Sequence, residues 1–190
     1  MKIDVPVEDG QFGDWTIETF HMKKDDLQQR MNEIKYGRNI PEGTYKRLIR
    51  SGTTVMSNTP DEIRDCLWLI NNASGNILIN GLGLGVVLIP LLENDKVEKI
   101  TVIEISKDLI DYVGKYYKHP KLTIINANAY EWKPPKDEYY DYVWHDIWDN
   151  ICSDNLEGMK KLHRKYGRKC KEQASWCRSL CEYQKQRFGY

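Results

Sequence analysis

Ile77-Leu78-Ile79-Asn80-Gly81-Leu82-Gly83-Leu84-Gly85 decides how the chain is read. A short apolar run bounded by glycines is the pattern of a strand buried on both faces, and Val86–Leu92 after it has helical character. Strand, glycine turn and helix in that order form the βα unit a nucleotide-binding loop requires. Without side chains the loop can turn sharply and lay its amides beside an adenosine moiety at the carboxyl edge of a sheet. A plain tight βα turn is the alternative reading of the glycines taken alone.

Working outward, further apolar runs at Lys99–Glu104, Leu122–Asn126 and Tyr140–His145 join Asn76–Asn80 in an alternation with helical stretches, including Lys107–Tyr117, which Ser106 can cap. This predicts a βαβ series and a mostly parallel sheet. Upstream, Thr59-Pro60-Asp61-Glu62 reads as a capping box opening a helix along Ile63, Leu67 and Ile70. Downstream, Leu156, Met159, Leu162 and Tyr166 predict a helix ending at Gly167. A fifth strand near Lys169–Ser175 and a last helix through Trp176, Leu180 and Tyr183 follow. Pro90 is expected to shorten or kink the helix after the glycine loop. In the first 58 residues the periodicity is weaker: an amphipathic helix over Asp25–Tyr36, and before it a segment that reads as irregular or as an edge strand around Trp15-Thr16-Ile17. The chain divides into an N-terminal extension, 1–58, that could form a lid or substrate region, and a Rossmann-like α/β domain, 59–190, with helices on both faces.

The loop spacing is GxGxG, where dinucleotide enzymes favour GxGxxG with a third glycine packing the helix, so S-adenosylmethionine is favoured over NAD. Glu104 ends the second strand about twenty residues beyond the loop, where its two oxygens can accept hydrogen bonds from both ribose hydroxyls. Asn126-Ala127-Asn128-Ala129 ends the third strand where the adenine should lie, and Asn128 can bond the adenine edge or close an Asx turn. The fourth strand delivers His145, Asp146, Trp148 and Asp149 to the same edge. Methyl transfer from a sulfonium needs no metal; it needs an in-line nucleophile and often a base. Asp146 is the expected base or amine anchor and Asp149 an acceptor contact, with His145 and Trp148 beside the acceptor. The two aspartates could instead cap the next helix, and His145 could be a packed core residue.

Lys+Arg and Asp+Glu both total 28, so the charge balance offers no bulk attraction for nucleic acid. The basic run Lys160, Lys161, Arg164, Lys165, Arg168, Lys169, Lys171 reads first as a solvated helix face. Five cysteines without a CxxC pair argue against a zinc ribbon or a closed disulfide framework and fit a reducing, cytoplasmic setting. No apolar stretch approaches the ~18 residues of a membrane span, so no membrane partner is expected.

Residues 59 to 150 resemble the class I S-adenosylmethionine-dependent methyltransferases, and within them the spermidine-synthase-like branch. The likeness is carried by Ile77–Gly85, by Val102-Ile103-Glu104-Ile105, by Ala127-Asn128-Ala129 and by Tyr140-Asp141 leading to Asp146-Ile147-Trp148-Asp149. It implies a Rossmann-like methyltransferase fold with S-adenosylmethionine as co-substrate, held by Asn80, Gly81, Gly83, Gly85, Glu104, Ile105, Asn128 and Ala129. It also implies catalysis through Asp146 and Asp149 on a small-molecule acceptor. Leu84 and Asn128 stand where spermidine synthases carry acids, which weakens aminopropyl transfer as the alternative; a non-catalytic adenosyl-binding protein is the other. The chain is also similar to short methyltransferase-like proteins of bacteria and their phages, through Met56–Pro60 and His145–Asp149. Only forty residues follow Asn150, so a truncated sheet of about five strands is expected, its open edge covered by the last helix or by a second copy in a homo-oligomer.

Overall fold

The computed structural model describes residues 2–23 and 40–188. The helix expected over Asp25–Tyr36 lies outside the described residues.

The strands fall into two sheets. β5 (Gly75–Asn80), β6 (Val97–Glu104), β7 (Leu122–Asn126), β8 (Tyr140–His145) and β9 (Cys170–Ser175) form a fully parallel sheet in the order β7-β6-β5-β8-β9. This is the expected Rossmann-like α/β arrangement of five strands. The order reverses between β6 and β8 around the central β5, and open α/β sheets bind ligands at such a switch point, beyond the strands' carboxyl ends.

Side-chain alternation explains why these runs are apolar throughout. Ile77, Ile79, Val102, Tyr142 and Trp144 face one side, where they join Leu69, Leu91, Leu109 and Val113 in the larger core. Those partners come from α2 (Leu67–Asn72), α3 (Leu88–Leu92) and α4 (Lys107–Val113). Leu78, Ile103 and Val143 face the other side, against Leu162 and Tyr166 of α5 (Asn155–Tyr166). The last helix, α6 (Arg178–Phe188), contacts α5. A strand covered on both faces can carry no polar side chain without a partner, so the runs show no period-two polarity.

Local signals hold where they are backbone chemistry. Ser106 Oγ accepts the Leu109 N–H at 3.2 Å, as its capping position predicts. Pro90 falls in the first turn of α3, where its missing N–H has no intrahelical partner to lose, so the helix begins late, at Leu88, and continues through it. The expected capping box is corrected: α1 (Pro60–Asp65) has no side-chain cap, because the Thr59 hydroxyl bonds Ser57 Oγ at 2.9 Å instead. The backbone breaks at Cys66 before α2, and that break moves the buried face to Ile63, Cys66 and Leu69.

The second sheet differs from the irregular segment or single edge strand expected. β1 (Gly10–Phe12), β2 (Trp15–Met22), β3 (Gly43–Arg50) and β4 (Thr53–Ser57) make a four-stranded antiparallel sheet in that order. Its interior residues Trp15, Ile17 and Leu48 belong to the same core as the parallel sheet. Ser51 (φ 48°) and Gly52 (φ 82°) close the β3–β4 hairpin as a two-residue turn with both central residues at positive φ, which matches the twist of the flanking strands. The register shifts between Leu48 and Ile49, so Val55 has no partner across the hairpin and the strand bends there. That bulge carries Met56 to the glycine loop.

Candidate active site

At the carboxyl end of β5 the chain turns through Gly81 (φ 103°) and Gly83 (φ 53°). A Cβ on Gly81 would fall on the carbonyl oxygen of Asp146, and one on Gly83 on the Met56 thioether. The turn therefore lies flat against the end of β8 and beneath β4. Leu84 N–H donates to Met56 Sδ at 3.3 Å, and the Tyr117 hydroxyl donates to Leu84 O at 2.6 Å, fixing the loop from both sides.

Glu104 is 7% exposed, yet its carboxylate is not left without donors. Oε2 accepts the Leu82 N–H at 2.9 Å and Oε1 accepts the Ser106 N–H at 2.8 Å. The acid thus ties the glycine loop to the turn after β6, and each oxygen keeps a second acceptor position. Gly81, Gly83, Glu104, Ile105, Asn128, Ala129, Asp146, Trp148 and Asp149 all line one crevice of about 260 Å³. Nine of the twelve residues expected at the site are brought together there.

The remaining three are placed elsewhere. His145 is fully buried, with Nδ1 against the Asn80 amide at 2.8 Å and Nε2 against Gln173 Oε1 at 3.2 Å. Asn80 donates to Nδ1 and Nε2–H donates to Gln173, which makes the ring the neutral tautomer. Burial pushes its pKa down to about 3. The expectation that His145 meets the acceptor is corrected for a geometric reason: alternation along β8 turns it to the α5 side, against Tyr166 and His163. Asn80 is buried with it, and Gly85 faces the Tyr117 ring rather than the crevice.

Asn128 adopts the Asx turn that its position allowed, Oδ1 accepting the Tyr130 N–H at 2.9 Å. Its amide nitrogen has no hydrogen-bond partner among the described residues and remains a donor. Lys165 Nζ donates to the carbonyls of Ala129 (2.8 Å), Tyr130 (3.2 Å) and Trp132, so part of the basic run on α5 holds this loop in place. Ile105 is 64% exposed on the opposite lip, an apolar wall available to a planar ring.

Asp146 sits between the crevice and the core behind it. Desolvation by burial pushes its carboxyl up to about 7, and the negative charge of Asp65 adds to the rise. The Trp144 indole N–H opposes this by favouring the carboxylate, although it lacks the geometry of a full hydrogen bond. Asp149 forms an ion pair with Arg50, whose guanidinium also lies 5.2 Å from the centre of the Trp15 ring. Trp15 Nε1–H in turn donates to Ser106 Oγ at 3.0 Å.

Trp15, Leu48, Arg50, Val55 and Met56 of the antiparallel sheet also line it, with Tyr130. Sequence reading did not find them as site residues. Of these, Met56 alone carried a signal, as the first residue of the Met56–Pro60 stretch. A larger depression of about 640 Å³ lies along α1, β9 and α6, lined by Asp61, Asp65, Trp68 and Arg178 among others. It contains no part of the glycine loop and neither Glu104 nor Asp146, so size alone does not make it the reacting site.

No family model and no curated protein matches the chain. Solved structures do. The chain is similar to a spermidine synthase from Thermotoga maritima, at 19% identity over 85% of this chain and 52% of that one, with a TM-score of 0.47. It is similar to the 23S rRNA methyltransferase ErmE at 17% identity, over 66% of this chain and 49% of that one, again at 0.47. A putative caffeoyl-CoA O-methyltransferase from Staphylococcus aureus aligns at 22% identity over 57% and 50%, at 0.40. The fold is a Rossmann-like parallel α/β sheet, by its strand order and by the glycine loop facing Glu104 across the switch point. The chain spans about half the length of these solved structures. No helix among the described residues is long and apolar enough to cross a membrane.

Proposed function

We propose that the chain binds S-adenosylmethionine in the crevice between the glycine loop and Glu104 and transfers its methyl group to a small acceptor. The observation that carries this reading is the Glu104 carboxylate, pinned by the Leu82 and Ser106 amides with one acceptor position left on each oxygen, beside a loop that admits no Cβ at Gly81. Two adjacent ribose hydroxyls match that pair of free positions. Ile105 and Ala129 supply apolar walls for the base, and the Asn128 amide supplies a donor to its edge.

Bound there, S-adenosylmethionine supplies an electrophilic methyl carbon on a positively charged sulfur. An acceptor O–H or N–H held in line forms the new bond to that carbon while the carbon–sulfur bond breaks. The electron pair stays on sulfur, giving S-adenosylhomocysteine, and the acceptor's proton passes to Asp146. A carboxyl whose pKa lies near 7 is half ionised at neutral pH and can take up that proton. The antiparallel sheet acts as the wall that excludes water from the acceptor end. Leu84, fully buried, offers no acid to a cationic nucleoside tail, which disfavours aminopropyl transfer.

Titration calorimetry with S-adenosylhomocysteine tests the reading. Micromolar binding is expected, falling roughly a hundredfold or more in Glu104→Ala and less in Glu104→Gln, since charged hydrogen bonds each contribute ~1.5–3 kcal/mol. Circular dichroism on both variants separates lost affinity from lost fold. Absence of heat with the native chain, or equal affinity in a folded Glu104→Ala, rejects it.

A further inference from the structure

The acceptor end of the crevice carries its charges in an arrangement that bears on what it admits. Asp149 lies on the loop after β8, and Arg50 reaches it from the last position of β3, so the ion pair joins the two sheets across the crevice mouth. Arg50 is oriented independently of Asp149, because its guanidinium also lies against the face of Trp15, and Trp15 is anchored to Ser106. The other acids facing the crevice are occupied or desolvated. Glu104 is committed to two backbone amides, and Asp146 is held in a setting that disfavours its charged form. Arg50 is the sole lysine or arginine among the described residues lining it. A cation entering this end would meet a guanidinium of like sign and, in Asp149, a carboxylate whose charge is already matched.

We infer that Arg50 is a specificity determinant: by occupying Asp149 at the crevice mouth it closes the acceptor end to cations and leaves it to an uncharged acceptor. This deepens the proposed transfer reaction and rests on that reading for the word acceptor, while the charge selection itself can be measured without any transfer. Removing Arg50 both lifts the repulsion and frees Asp149, so the selectivity should invert rather than fade.

The test uses spermidine as a polycationic probe on the full chain, titrated with and without S-adenosylhomocysteine at low salt. The native chain should show no saturable spermidine binding. Arg50→Met should bind spermidine roughly tenfold tighter or better, Arg50→Lys should behave as the native chain, and Arg50→Met/Asp149→Asn should lose the gain. An exposed ion pair contributes little to stability, so unfolding midpoints should stay within a few degrees of native. Saturable spermidine binding by the native chain overturns the inference, as does a gain that survives loss of Asp149 or no gain in folded Arg50→Met. Failure to bind S-adenosylhomocysteine overturns the function reading instead, and the spermidine comparison still stands on its own.

Discussion

Gly81→Ala is expected to lower the unfolding midpoint by roughly ten degrees or more and to abolish adenosyl-ligand binding. Two costs add. At φ 103° the residue lies outside even the left-handed helical region that some non-glycine residues visit, a conformation that costs about 1–3 kcal/mol. The added Cβ would also fall on the Asp146 carbonyl oxygen, a backbone atom rather than the end of a flexible side chain. Neither side can give way cheaply: Gly81 N–H is bonded to Ile103 O at 2.8 Å and Asp146 N–H to Asn80 O at 2.8 Å, so moving either strand end breaks a ladder hydrogen bond. Gly83→Ala makes an internal comparison. Its φ of 53° is mild and its neighbour is the Met56 thioether, which can swing aside, so a penalty nearer 1–2 kcal/mol is expected. Thermal unfolding of the two variants, with ligand titration, checks the order. Equal midpoints would show that β8 does not press on the loop as described.

Asp146→Asn should have two large effects of opposite sign. Transfer should fall by roughly a hundredfold or more, since general-base contributions are typically ~10²–10⁴, while the protein becomes more stable at alkaline pH. The folded carboxyl titrates near 7, well above its ordinary 3.8. Between those values the folded state holds a proton that the unfolded state has lost, so native stability declines as pH rises from about 4 to about 7 and stays reduced above that. Asparagine removes the titration. The variant should therefore show a flatter profile and exceed the native chain by on the order of 2–4 kcal/mol at pH 8. Urea unfolding at pH 5 and pH 8 reads this directly, and the native transfer rate should climb with pH through about 7. Parallel stability profiles for the two proteins would mean that Asp146 is ionised across the range and is not a poised base.

How much of this was legible beforehand follows from what each signal depends on. The parallel sheet was readable because strands buried on both faces leave unbroken apolar runs, and because Gly81 to Gly85 and Glu104 mark strand ends by local chemistry. His145 was misplaced because the turn of a strand toward one face or the other is decided by its register with neighbours, here Asn80 and Ser175, not by its own sequence. The antiparallel sheet was obscured for a related reason. β2 alternates cleanly only over Trp15 and Ile17 before becoming half-exposed, and β4 carries a bulge that breaks the period at Val55. Arg50 could not have been assigned to the site at all, since its role exists only through a partner ninety-nine residues away. Residues placed by long-range pairing are silent in a local pattern, and Arg50 is one of those that line the crevice.

A crystal structure of the chain with S-adenosylhomocysteine would show whether Glu104 holds the sugar of an adenosine ligand. Both ribose hydroxyls are expected within about 3 Å of the Glu104 oxygens, with the Leu82 and Ser106 amides still bonded to that carboxylate and the sulfur turned toward Asp146. Ligand density in the depression beside α1 and β9, or a ribose that leaves Glu104 untouched, would contradict this.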